Sequence, residues 1–79
     1  MSNNLLTVGE FAKLARTTKR TVLWYEEMGI LKPQEISKEN GYRFYKPEQI
    51  IDYQAILLLR KLSFSILQIK EYLKKDNSL

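Results

Sequence analysis

Lys19, Arg20 and Trp24 stand close together in the stretch Thr18-Lys19-Arg20-Thr21-Val22-Leu23-Trp24-Tyr25-Glu26-Glu27-Met28-Gly29, and they are the side chains in this sequence best placed to meet a partner. Two cations and an indole suit an anion with flat groups attached, and phosphate in a nucleic acid is such a partner. Covalent or acid–base catalysis is poorly served. The chain has no cysteine and no histidine, which removes thiol nucleophiles, imidazole bases, disulfides and the common zinc-ligand sets. Glu26 and Glu27 are adjacent, so on a helix their carboxylates diverge by about 100° and cannot form a dyad. The residue types therefore point to binding without catalysis, cofactor or metal.

The charge distribution agrees. The 79 residues carry a net charge of +4, with eight positive and four negative residues between Lys13 and Lys46 and little excess on either side. A basic middle suggests a polyanionic partner. With 44% apolar and 28% charged residues, the chain is a globular domain and not a disordered tail. Its length allows one small core and no second domain. No signal peptide is evident, and the longest apolar run, Ala55 to Leu59, is far too short for a membrane span. A cytoplasmic location is the expectation.

Several elements must position the basic cluster. Thr18 is a suitable N-cap, and Gly29 lies where a helix stop needs a residue free to take positive φ, so a helix of about 18–28 is expected. Val22, Tyr25 and Met28 share its inner side, while Lys19, Arg20, Leu23, Trp24 and Glu27 spread over the outer one. Its charges oppose the helix macrodipole: cations lie at the N-terminal end, and Glu26 and Glu27 at the C-terminal end. Each mismatch costs roughly 0.3–1 kcal/mol at an exposed site. Upstream, Thr7 and Glu10 match a capping box opening a helix whose Val8, Phe11, Ala12 and Ala15 form a core stripe. Only Arg16 and Thr17 separate the two helices. So tight a junction makes a helix-turn-helix, whose second member is the usual reader of the major groove. Met1 to Leu6 reads as a frayed leader.

Beyond Pro33 the pattern changes to a hairpin: Gln34-Glu35-Ile36, a polar connection ending in Asn40-Gly41, then Tyr42-Arg43-Phe44-Tyr45. Asn-Gly supplies the positive φ that tight hairpins require. Alternation puts Tyr42 and Phe44 on one face and Arg43 and Tyr45 on the other. A two-stranded hairpin is marginal alone, so one face must pack on the helices. The face bearing Arg43, with Lys38 and Lys46 nearby, is expected to stay exposed as a wing over flanking phosphates. Pro47 fits the first position of a third helix, with Ile50, Tyr53, Ile56, Leu57 and Leu59 inward and Arg60 and Lys61 at its close. Ile51, Ala55 and Leu58 exceed what one buried stripe needs and suggest a second interface. Ser65 and Gln68 form another capping box, opening a fourth helix with Ile66, Ile69 and Leu73 inward. Lys74 to Leu79 reads as a polar tail.

The order of these motifs resembles the N-terminal DNA-binding domain of the MerR family of bacterial transcription regulators. The matching runs are Thr7 to Lys13, Arg20-Thr21-Val22, Trp24 to Pro33, Asn40 to Tyr45 and Phe64 to Ile69, and the similarity covers about residues 5–75. The resemblance implies a mostly α, winged helix-turn-helix fold of four short helices with a two-stranded hairpin wing. It further implies binding of double-stranded promoter DNA as a homodimer, one subunit per half-site of an inverted repeat. On the family pattern, Trp24, Tyr25 and Arg43 contact phosphates, and the connection from Arg60 to Ser65 acts as a second wing. The expected DNA-binding set is thus Thr18, Lys19, Arg20, Trp24, Tyr25, Lys38, Tyr42, Arg43, Arg60 and Lys61.

Three departures stand out. Arg16 and Ser63 occupy positions where the family usually has glycine. Leu23 replaces a basic residue, which removes one phosphate contact and alters the groove contacts. The long dimerisation helix and effector domain of the family's regulators do not follow Leu73. The chain is therefore expected to be mainly monomeric, as an excised module or as a small protein of the excisionase-like sort. Sequence-specific DNA binding in transcription is the leading reading. The alternatives are an architectural DNA-bending factor of the excisionase-like sort and a protein-interaction module using the third helix.

Overall fold

A computed structural model describes residues 4–76. The elements run β1 (Leu6–Thr7), α1 (Val8–Ala15), α2 (Lys19–Glu27), β2 (Glu35–Ile36), β3 (Arg43–Tyr45), α3 (Gln49–Lys61) and α4 (Ile66–Asp76). The four expected helices are present, and the wing is a sheet of three antiparallel strands in the order β1-β3-β2. The extra strand corrects the reading of Leu6 as leader. Leu6 pairs with Tyr45 and Thr7 with Phe44, while Glu35 and Ile36 pair with Phe44 and Arg43 on the opposite edge of β3. A two-residue edge strand carries no alternation that a sequence could reveal. Residues 1–3 of the expected leader and 77–79 of the expected tail lie outside the described residues. Lys74 to Asp76, also expected as tail, belong to α4.

Local chemistry fixes the helix starts. Thr7 caps α1 in a complete capping box: the Glu10 N–H donates to Thr7 Oγ1 at 3.2 Å, and the Thr7 N–H to Glu10 Oε1 at 2.9 Å. Ser65 and Gln68 do the same before α4, at 3.1 and 2.8 Å. α3 starts two residues later than Pro47 suggested. Pro47 and Glu48 form a preceding turn, and the Gln49 side chain supplies the capping contact that Lys46 cannot. Gln49 Oε1 accepts from the Lys46 N–H at 2.8 Å, and its Nε2 donates to the Lys32 carbonyl at 2.7 Å, tying α3 to the segment after α2.

The helix ends share one device. α1, α2 and α3 each finish on a residue with positive φ: Arg16 (59°), Gly29 (82°) and Ser63 (69°). In each case two backbone bonds close the end in a Schellman arrangement. The Thr17, Ile30 and Phe64 N–H groups reach back to the Ala12, Tyr25 and Leu59 carbonyls at 2.9–3.0 Å. Two of the three residues are not glycine, yet the backbone takes the glycine geometry.

Phe11, Val22, Leu31, Tyr45, Ile56 and Ile69 are the largest fully buried side chains, joined by Ala12, Tyr25, Ile30, Tyr53 and Leu59. Of the residues expected inward on α3, Tyr53, Ile56 and Leu59 are buried and Ile50 packs against the core, but Leu57 is exposed. Of the apolar surplus, Ile51 and Leu58 are exposed as well, and Ala55 is half-buried. The wing is seated opposite to expectation. Tyr45 points inward and stacks on Phe11, with ring centroids 4.8 Å apart, whereas Tyr42 is 63% exposed. The alternation was legible, but both faces offered an aromatic ring, and only packing against α1 and α2 chooses between them.

Candidate nucleic-acid interface

α2 presents its N-terminal end and outer face to solvent. Thr18 caps it: its Oγ1 accepts from the Thr21 N–H at 3.2 Å and donates to Thr21 Oγ1 at 3.1 Å, so the hydroxyl is largely occupied by the helix itself. Lys19 and Arg20 are exposed and form no ion pair with another described residue. The stem of Lys19 runs past Gly9, where an added Cβ would lie 3.6 Å from Lys19 Cδ. One turn along, Leu23 and Trp24 are each 39% exposed. Tyr25 is 6% exposed and lies among the core rings, 6.0 Å from Tyr53 and 5.2 Å from Trp24 between centroids. Any contact it makes with a partner comes from the small edge that reaches the surface.

Two flanking elements bring an arginine to this helix. At the end of α3, the Arg60 guanidinium lies 5.8 Å from the centroid of the Trp24 ring, within reach of a cation–π contact. Lys61 beside it is exposed. On the wing, Arg43, expected on an exposed face, is partly buried and engaged. Its Nε donates to Glu26 Oε1 at 2.5 Å and its Nη1 to the Gly41 carbonyl at 3.1 Å, with the side chains of Arg43 and Glu26 38% and 17% exposed. A guanidinium has five N–H donors in a fixed fork, so three are not used by these two bonds. Lys38 and Tyr42 lie at the exposed tip of the wing. There the Tyr42 N–H donates to Asn40 Oδ1 at 3.0 Å, the Gly41 N–H reaches the Ser37 carbonyl at 2.9 Å, and Gly41 alone of the pair Asn40-Gly41 takes positive φ.

Glu26 escaped the sequence reading. It registered only as a charge at the wrong end of the helix, and that mismatch was the available signal. The wing arginine offsets it. The pair also bears on Tyr45, whose hydroxyl is pushed up to about 12, mainly by burial and further by the Glu26 carboxylate, with Arg43 opposing. That hydroxyl has no hydrogen-bond partner among the described residues. Partial desolvation in its groove likewise raises the carboxyl of Asp52, in the first turn of α3, from its ordinary value although the residue as a whole is exposed. Asp52 lines a groove of about 580 Å³ between the segment after α2 and α4, together with Lys32, Gln49 and Lys70. Among the described residues no group of acidic side chains converges as a metal site requires, and no helix is long and apolar enough to cross a membrane.

A helix-turn-helix whose second helix is exposed, flanked by a small antiparallel sheet and followed by two further helices, defines the winged helix-turn-helix class of proteins. Residues 6–76 match the family described as MerR HTH family regulatory protein. The chain belongs to the MerR family. It is 44% identical over 68 residues to the multidrug-efflux transporter 2 regulator of Bacillus subtilis (strain 168), a match covering 86% of this chain and 24% of that protein. It is 36% identical over 75 residues to the transcriptional regulator BrlR of Pseudomonas aeruginosa, covering 95% of this chain and 27% of that protein. Among solved structures, a cryo-EM structure of an EcmrR–DNA complex superposes with a TM-score of 0.84 at 36% identity, over 94% of this chain and 28% of the other. A MerR-family transcriptional regulator from Bacillus cereus gives 0.73 at 28% identity, over 87% and 51%. The chain thus spans about a quarter of the length of the two curated relatives. These relatives are transcription regulators, so neither the excisionase-like reading nor the protein-interaction reading is favoured.

Proposed function

We propose that this chain is the DNA-binding part of a bacterial transcription regulator acting in the cytoplasm, by binding and without catalysis. α2 enters the major groove of promoter DNA, with Lys19 and Arg20 at base edges and Thr18 at the adjoining backbone. Trp24 and the exposed edge of Tyr25 meet sugar and phosphate. The wing, through Arg43, Lys38 and Tyr42, and the end of α3, through Arg60 and Lys61, hold the flanking phosphates. One copy serves one half-site of an inverted repeat, and a homodimer of the longer regulator spans both.

The observation that carries this reading is the convergence on α2. Its outer face bears two cations without ion-pair partners among the described residues, and the two elements beside it each direct an arginine toward that helix. The complex of the similar EcmrR chain with DNA supports the same use of the fold. Titration of a labelled random-sequence duplex over a range of salt tests it. Neutralising several phosphates makes affinity fall steeply as salt rises, with a slope of about −0.9 for each phosphate neutralised. Flat binding across the salt series, or none at low salt, defeats the proposal.

A further inference from the structure

Glu26 is a strange neighbour for a DNA-binding surface. It is an anion at the C-terminal end of the recognition helix, beside the element proposed to touch phosphate, and simple electrostatics would have it repel DNA. We infer that Glu26 is a positioning residue that aims the wing arginine, and that its removal weakens DNA binding although the protein becomes more positive. The inference rests on the DNA-binding reading above.

Arg43 is held at two points, by Glu26 Oε1 at Nε and by the Gly41 carbonyl at Nη1. The first anchor stands on α2 and the second on the wing's own turn, so the planar group is fixed relative to both elements. Nε and one Nη1 proton are taken up by these anchors, which leaves one Nη1 proton and both Nη2 protons available to a phosphate. A fork fixed in this way does not have to be ordered when it meets a phosphate, and its direction is set by the recognition helix itself. Glu26 is suited to the task because it is mostly buried, so its carboxylate is shielded from solvent while its partner reaches out. The strand register contributes: Arg43, on the middle strand β3, pairs with Ile36 of β2, and Tyr45 two residues on is stacked on Phe11, so the backbone that carries Arg43 is itself held in place.

Glu26→Ala and Glu26→Gln separate aiming from repulsion, because both remove the same charge and only glutamine keeps an oxygen for Nε. Anisotropy with a labelled random-sequence duplex at low salt should show Glu26→Ala binding about two- to tenfold more weakly than the parent, the range expected for ordering one long side chain at an interface. Glu26→Gln should bind at least as tightly as the parent. On an Arg43→Ala background, Glu26→Ala should cause no further loss. In the free protein, the Arg43 Nε–H resonance should be protected from solvent exchange in the parent and in Glu26→Gln, and unprotected in Glu26→Ala. The NMR measurement on Glu26→Gln keeps the inference testable even where Glu26→Ala fails to fold: an unprotected Nε–H there overturns it. Equal binding by the alanine and glutamine variants, or the same loss with and without Arg43, also overturns it. A parent chain with no salt-dependent binding to the duplex removes the DNA-binding reading itself, which is a different result from any of these.

Discussion

Ser63→Gly should raise the melting temperature of this domain. Ser63 ends α3 with φ of 69°, where its Cβ crowds the following carbonyl, and its exposed side chain makes no hydrogen bond to a described residue. The left-handed conformation costs a residue with a Cβ about 1–2 kcal/mol. Glycine removes that cost but gives back about 0.4–1 kcal/mol through the extra freedom of its unfolded chain. The midpoints of the two ranges leave a net gain of about 0.8 kcal/mol. For a domain of this size that corresponds to roughly 3–6 °C in Tm, which calorimetry or circular dichroism resolves easily. The Ser63 N–H to Arg60 and Phe64 N–H to Leu59 bonds, at 2.9 and 3.0 Å, are backbone contacts and survive the change. Ser63→Ala is the control, since it deletes the hydroxyl and keeps the Cβ, and it should give no gain. A glycine variant that melts at or below the parent temperature would refute the claim that this turn holds its shape against the side chain's preference.

Three further outcomes follow from the site and its supports. Tyr45→Phe should be stabilising by about 1 kcal/mol at neutral pH, because it deletes a buried hydroxyl with no partner among the described residues. The parent should also lose stability between pH 10 and about 12, since the unfolded chain releases the tyrosine proton first; the loss relative to Tyr45→Phe is about 2–3 kcal/mol in denaturant melts. Desolvation raises the folded pKa of Asp52, so the parent should lose stability relative to Asp52→Asn as the pH rises from below the usual aspartate value through the folded pKa. A stability difference between the two proteins that stays constant from acid to neutral pH refutes it. For DNA, Lys19→Ala and Arg20→Ala should include at least one variant that relaxes preference at a defined base pair in a binding-site selection, a bidentate contact being worth about 1–3 kcal/mol of discrimination; uniform loss across all sequences would reduce both residues to general electrostatics.

Much of this protein is written locally. The capping boxes Thr7–Glu10 and Ser65–Gln68, the Thr18 cap and the Gly29 stop each depend on side chains within a few residues of the backbone groups they satisfy, so sequence alone placed three helix starts and one end. The exposed cations of α2 were legible too, because a helix of known phase sorts its residues onto faces. What the tertiary structure decided involves partners distant along the chain. The wing could have turned either aromatic face inward, and the choice fell to Tyr45 because Phe11 waits beneath it. Leu6 became a strand because the open edge of β3 had unpaired backbone groups to satisfy. Arg16 and Ser63 keep the left-handed turns that glycine would favour, since the Schellman bonds and the packing of the next element outweigh a local cost of about 1–2 kcal/mol. Glu26 shows the division most clearly. Read along the chain it is a carboxylate at the unfavourable end of a helix, and only the arrival of Arg43 from seventeen residues away turns it into the anchor of the wing.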